Sequence, residues 1–301
     1  MAERSTRRAV LAGACMAAFA GLAACGKKED KTAPQAPAAP AGPPEGSLEW
    51  AVAGSWRSAS DKARDAWRHP VETLRFFGLQ PRMTVVDFWP GSGWFIEILA
   101  PYLNKGGGSL YLAGFAEGPA ADPAQIAINN ALKARLEGDK KLYGQVQFSA
   151  FGAGTGPVAP AGTADLVLFM RYIHAWMAAG LAEKAFADAY AALRPGGVLG
   201  VEQHRLQPDE DQDPAAANGY DQEAFVKQLA AEAGFVFVEA SEIIANPADT
   251  KDHPFGVDTL APIRLTAERA TGIAARAGFA CARPCGRRRP WWPRRRAARW
   301  S

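Results

Sequence analysis

Between residues 26 and 280 the chain has no cysteine; its four cysteines, Cys15, Cys25, Cys281 and Cys285, lie near the two ends. The central region therefore has no disulfide framework, which leaves the redox compartment open on cysteine grounds. Histidine is scarce too, with four in 301 residues and no His-x-x-x-His spacing, so no metal centre is expected. The middle of the chain is also short of positive charge. Of 34 Lys+Arg and 31 Asp+Glu, residues 1–28 hold five and one, and residues 264–301 hold eleven and one. That leaves 18 bases against 29 acids for residues 29–263, a net charge of −11. A nucleic-acid-binding core needs a basic face, so nucleic acid is not an expected partner of this region. The apolar run at residues 9–24 is short and rich in Ala and Gly, which argues against a membrane-spanning helix.

What is present first is an export signal. Arg4, Arg7 and Arg8 form a positive n-region ahead of that apolar run. Leu22-Ala23-Ala24-Cys25 resembles the lipobox of bacterial lipoproteins, which implies lipidation of Cys25 as the mature N-terminus. The alternative is an ordinary cleaved signal with an incidental cysteine. Thr6-Arg7-Arg8-Ala9-Val10-Leu11 also resembles a twin-arginine signal. Residues 26–47, rich in Pro and Ala, read as a linker of ~3.1 Å per residue if polyproline-like. Signal, lipid and spacer together predict a periplasmic lipoprotein anchored to the membrane.

From residue 48 the pattern alternates between helix and strand. Helices are predicted over residues 61–67, 70–77, 94–103, 123–137, 181–193 and 222–233. Strands are predicted over residues 84–88, 109–113, 145–151, 164–170, 198–202 and 235–240. Strands separated by helices imply a doubly wound, mostly parallel α/β sheet of Rossmann-like type, with ligands beyond the carboxyl ends of the strands.

The segment Asp87-Phe88-Trp89-Pro90-Gly91-Ser92-Gly93 stands where an apolar strand ends and a helix begins. Glycines there let backbone approach a ligand, and a helix N-terminus offers unpaired N–H groups. Its bland alternative is an ordinary βα turn. Leu193-Arg194-Pro195-Gly196-Gly197 reads as a helix stop and turn, and Glu232-Ala233-Gly234-Phe235 feeds the last strand. With Asp165–Met170 between them, these segments have the order and spacing of the class I S-adenosylmethionine-dependent methyltransferases. Arg68-His69-Pro70, residues 171–177 (RYIHAWM) and residues 200–205 (GVEQHR) resemble the exported bacterial methyltransferases, over residues 48–262.

The resemblance implies S-adenosyl-L-methionine as cofactor and a small-molecule substrate. It carries Asp87, Gly91 and Gly93 into the cofactor turn, with Trp89 where that family usually has its first glycine. The usual ribose-binding acid falls near Gly114, with Glu117 the nearest substitute. Phe88, Trp89 and Trp94 are either core rings or faces for a sulfonium cation. Methyl transfer needs chiefly alignment, and a base only where the acceptor loses a proton. His174, Glu202 and His204 are the candidates for that role, with Arg171 and His69 toward substrate. The rival reading is a non-catalytic ligand-binding lipoprotein that keeps the same fold.

After residue 262 the composition shifts to Arg, Pro and Trp. Residues 287–296 show neither helical nor strand period, and no segment remains to serve as the final antiparallel strand of that fold. Residues 263–301 therefore read as a disordered or frame-shifted tail, or as a basic aromatic segment for anionic lipid or nucleic acid.

Overall fold

The computed structural model describes residues 42–119, 121–260, 263, 264, 266 and 296–300. The signal, Cys25 and most of the linker lie outside the described residues. The linker's last residues are already folded against the body. Ser47 donates its N–H to Pro44 O and its hydroxyl caps α1 (Leu48–Ala53).

The segment expected as one helix over residues 61–67 is two, α2 (Ala59–Lys62) and α3 (Asp65–Arg68). Tertiary bonds break it: Trp94 Nε1 donates to Asp61 O, and Arg57 grips Asp65 with two bonds of 2.7 Å. His69 ends α3 in the left-handed region and Pro70 opens α4 (Pro70–Phe76). Then follow β1 (Thr84–Phe88), α5 (Ile96–Gly106), β2 (Ser109–Phe115), α6 (Pro123–Gly138), α7 (Lys140–Tyr143), β3 (Val146–Phe151) and β4 (Ala164–Met170). The next elements are α8 (Ile173–Ala178), α9 (Ala182–Ala192), β5 (Leu193–Glu202), α10 (Glu223–Glu232), β6 (Phe235–Ala240) and β7 (Arg296–Trp300). Two local signals act as expected in α6, where Asp122 caps Ala124 N at 2.8 Å and Pro123 opens the helix.

The sheet runs β3-β2-β1-β4-β5-β7-β6, and every described pairing is parallel. Its order reverses between β1 and β4, which puts the ligand crevice of a doubly wound sheet beyond the carboxyl ends of those strands. Alternation sorts the strands' side chains onto two cores. Val86, Phe88, Val167 and Phe169 join one with Trp176, Phe186 and Leu229. Val85, Leu166 and Leu168 join the other with Leu74, Ile98 and Leu99. Asp87 and Glu202 share the second parity, so both carboxyls leave the sheet on the α4–α5 side.

Two expectations change. The stop-and-turn read at residues 193–197 belongs to β5, which starts at Leu193 and shifts register opposite Ala164–Leu166. Gly196, at φ +80°, absorbs the irregularity. The tail, read without strand period, supplies β7 from Arg296–Trp300. It fills the slot between β5 and β6, parallel to both, so no antiparallel strand occurs among the described residues. Its anchor outside the ladder is Arg299, whose guanidinium donates to Phe76 O at 3.0 Å.

Deleting residues 296–301 should leave β5 and β6 each without the strand between them and cost about 3 kcal/mol, from several ladder bonds at ~0.5–1.5 kcal/mol each. For a body of this size that is a fall of roughly 6–12 °C in Tm, read by calorimetry. An unchanged Tm would show that β7 contributes nothing to the sheet.

Candidate functional site

The turn after β1 is a run of left-handed backbone. Trp89, Gly91 and Gly93 have φ of +47°, +58° and +88°. Trp89 thus keeps the backbone shape that a glycine would adopt, at a strain of ~1–3 kcal/mol. Burial of its indole offsets the strain. Its Nε1 donates to Phe151 O at 2.9 Å, and its ring packs 4.8 Å from Phe115, 5.7 Å from Tyr172 and 5.9 Å from Trp176. The glycines are favoured by conformation, and side-chain tips pack close to both. A Cβ at Gly91 would meet Tyr172 Oη at 2.9 Å, and one at Gly93 would meet Arg135 Nη2 at 2.5 Å. That arginine reaches from α6 to donate to Ser92 O at 2.6 Å and to Glu97 Oε1 at 2.9 Å, pinning the turn.

The rings weighed for a sulfonium lie elsewhere. Phe88 is fully buried among Phe151, Phe169 and Trp176. Trp94 carries three guanidiniums, of which Arg68 is nearest at 4.5 Å from the ring centre. At the end of β2, Asn129 from α6 clasps Phe115, accepting from its N–H at 3.1 Å and donating to its O at 2.8 Å. A Cβ at Gly114 would meet the same Asn129 Oδ1 at 2.8 Å. Glu117 lies beyond this clasp and is exposed.

The strand ends on the α4–α5 side gather buried charge. Asp87 is 2 % exposed and its Oδ1 has no hydrogen-bond partner. Burial, and then the nearby Glu202, raise its pKa well above the usual carboxylate range. Glu202 ends β5, is also 2 % exposed, and is raised by burial against the pull of Arg171 and Arg68. Arg171, left-handed at φ +64°, donates its N–H to Glu202 O at 2.7 Å. Its Nε stands 3.2 Å from Glu202 Oε1, at ion-pair distance but not aimed for a hydrogen bond, while Glu202 Oε2 has no partner. Burial, then Arg171 and Arg64, lower Arg68 to about 9, so it stays charged at neutral pH.

A cavity of about 1400 Å³ opens over the β5 end of the sheet. Arg68, His69, Arg171, Glu202, Gln203 and His204 line one side of it, and residues from 240–251 line another. Trp89, Gly91, Gly93, Glu117 and His174 do not line it. The structure thus brings together His69, Arg171, Glu202 and His204 of the expected residues, with Asp87 buried behind them. His174 sits on α8 with Nδ1 held 2.9 Å from Gln203 Nε2, and burial lowers its pKa. His204 is pushed down to about 3, by burial and then by Arg171, so it is a neutral imidazole at physiological pH.

Asp221 was not foreseen. It lines the cavity, is 1 % exposed, has no partner for either carboxylate oxygen, and is raised to about 7 by burial alone. An acid just before a helix reads in sequence as a cap, and that hides it. Tyr220 beside it donates to Asp249 at 2.9 Å, and His253 Nε2 meets the same carboxylate at 2.9 Å. Among the described residues, no group of three His, Cys, Asp or Glu is arranged to hold a metal.

Asp221 and His204 pull stability in opposite directions with pH. Asp221 has a folded pKa above its unfolded value, so the stability it lends in acid is lost as pH rises from about 4 to about 7. His204 has a folded pKa below its unfolded value, so its contribution is lost as pH falls from about 6.5 to about 3. Asp221→Asn should therefore gain on the wild type from pH 4 to pH 7, by on the order of 4 kcal/mol at most, and hold level above. Urea midpoints across that range measure the gap; a gap independent of pH would mean that Asp221 is not the group titrating.

No protein-family model matches the chain, and no curated protein matches it. Among solved structures it is similar to a SAM-dependent methyltransferase from Aquifex aeolicus, at 19% identity and TM-score 0.45, over 58% of this chain and 83% of that one. It is similar to the cyclase SpnF at 19% identity and TM-score 0.39, covering 61% of each chain. A putative methyltransferase from Bacillus halodurans follows at 15% identity and TM-score 0.41, over 56% of this chain and 69% of that one. What identifies the architecture is the chain's own sheet order: a doubly wound parallel α/β fold with a glycine turn at its switch point.

Proposed function

We propose that the chain is an S-adenosylmethionine-dependent methyltransferase acting on a small molecule held in the cavity over β5. The observation that carries this reading is Asp87. It stands near the end of the first strand at the switch point, beside a left-handed glycine turn, and holds a buried acceptor oxygen with no donor among the described residues. An unpartnered buried carboxylate is costly, and a cationic ligand group nearby removes that cost. Glu202 Oε2 is a second such acceptor. The cofactor fits these residues at its charged end: Asp87 and Glu202 suit its cations, while Arg171 and Arg68 suit a carboxylate. Gly91 and Gly93 suit close backbone approach.

The ribose is less well served, because Asn129 is committed to Phe115 and Glu117 is exposed. When bound, the cofactor supplies a methyl group on a sulfonium. This chain's own part is to orient the acceptor and exclude water, and Arg171 with Glu202 forms the rigid edge of the cavity for that purpose. The committed Asn129 and the strained Trp89 favour a second reading, a non-catalytic binding protein that keeps the fold.

Calorimetry of the full chain with S-adenosylmethionine and S-adenosylhomocysteine separates the two. Micromolar binding is expected, and Asp87→Ala should weaken it by ~1.5–3 kcal/mol. No heat from either nucleoside with folded protein would leave only the second reading.

Export and anchoring are part of the proposal and rest on residues 1–25. Mass spectrometry of the membrane fraction should find a diacylglyceryl-modified Cys25 as N-terminus, and Cys25→Ser should release the protein into the soluble fraction. A soluble wild-type chain would refute the anchor.

A further inference from the structure

We propose that Asp221 anchors a cationic nitrogen, and that the molecule taken by the cavity is therefore a small amine with an apolar body. The inference names the substrate class of the site described above. It rests on the proposed methyltransferase reading for the fate of the amine, though not for its binding.

The argument is one of uncompensated charge. Several basic residues on the neighbouring walls are engaged; Arg68, Lys251 and Arg264 also line the cavity, and none of them forms an ion pair with Asp221 among the described residues. Arg205 is paired with Glu242 and with Glu223, Arg171 stands against Glu202, and Arg64 is bonded to Asp61. Asp221 has none of these. Neither of its oxygens receives a hydrogen bond, and no ion pair among the described residues includes it.

Nor is it free to turn away. Its N–H donates to His204 O at 2.9 Å and its carbonyl accepts from Leu206 N at 2.9 Å, a two-bond clamp that fixes the backbone on both sides. The hydroxyl of the adjacent Tyr220 is spent on Asp249. His204 gives no positive charge, because burial keeps its imidazole neutral.

A carboxyl held in this way meets its needs either with a proton or with a donor that the ligand brings. An ammonium supplies both charge and several N–H donors, and a hydroxyl supplies one donor and no charge. Between the charged groups of the lining, Val201, Val226, Ile244, Pro247 and Leu260 supply apolar surface in the same cavity. They suit a hydrocarbon or aromatic body behind the nitrogen.

The test is calorimetry of the full chain at pH 7.5 with three matched pairs: benzylamine with benzyl alcohol, phenethylamine with phenethyl alcohol, and tryptamine with tryptophol. At least one amine should bind tenfold or more tightly than its alcohol. Asp221→Asn should abolish that preference while leaving S-adenosylmethionine binding within twofold. Equal binding within every pair, or a preference that survives in Asp221→Asn, would overturn the proposal. Circular dichroism of the variant confirms that it is folded. Amine preference without nucleoside binding would sink the methyltransferase reading and leave the amine site standing, whereas nucleoside binding without amine preference would do the reverse.

Discussion

Two carboxyl groups, Asp87 and Glu202, are buried at the ends of β1 and β5, two parallel strands with β4 between them, and the crevice is organised around the cost of keeping them there. Each is 2 % exposed, and their mutual repulsion adds to the penalty of burial. Arg171, after β4, and Arg68, the last residue of α3, offset part of it. To do so, Arg171 adopts a left-handed backbone that its side chain disfavours, held by the bond from its N–H to Glu202 O. The short helices before β1 are fixed by the same requirement, since Arg57, Arg64 and Arg68 all bear on Trp94. Charge burial thus joins the N-terminal helices, the first turn and the end of β5 into one structure.

The turn itself shows how a substitution against the local preference survives. Trp89 occupies a conformation suited to glycine, and the strain is tolerated because the ring completes a cluster with Phe115, Phe151, Tyr172 and Trp176. On the far side, Arg135 and Asn129 from α6 tie the turn and the end of β2 to one helix. The glycines left in the turn serve packing as well as ligand approach, so their presence in the sequence alone does not discriminate between the two uses.

Much of this was legible beforehand, for identifiable reasons. Strands β1, β4 and β6 match the predicted spans residue for residue, because apolar and β-branched runs bounded by polar residues leave little freedom. Asp87 was placed at a strand end by the same pattern, whereas Arg171 and Glu202 entered as candidates through the family resemblance. What escaped depended on distant partners. The break between α2 and α3 is made by Trp94, which lies far along the chain, and by Arg57, whose grip on Asp65 leaves no periodic signal. The strand β7 is built from Arg-Ala-Ala-Arg-Trp, whose pairing comes from β5 and β6 and not from its own pattern. Asp221 was not singled out, because an isolated acid ahead of a predicted helix carries no local sign of its burial, and His174, a candidate base, is held on α8 against Gln203.

The packing of Trp89 has one further consequence. Its indole and that of Trp176 lie 5.9 Å apart at an interplanar angle of 72°. Two indoles at that separation and tilt couple their electronic transitions, most strongly in the intense far-ultraviolet indole band, and the coupling contributes to circular dichroism there. Since one chromophore belongs to the turn and the other to the helix after β4, the molecule carries its own optical gauge of the switch point. A change in backbone at Trp89 is therefore visible without a label.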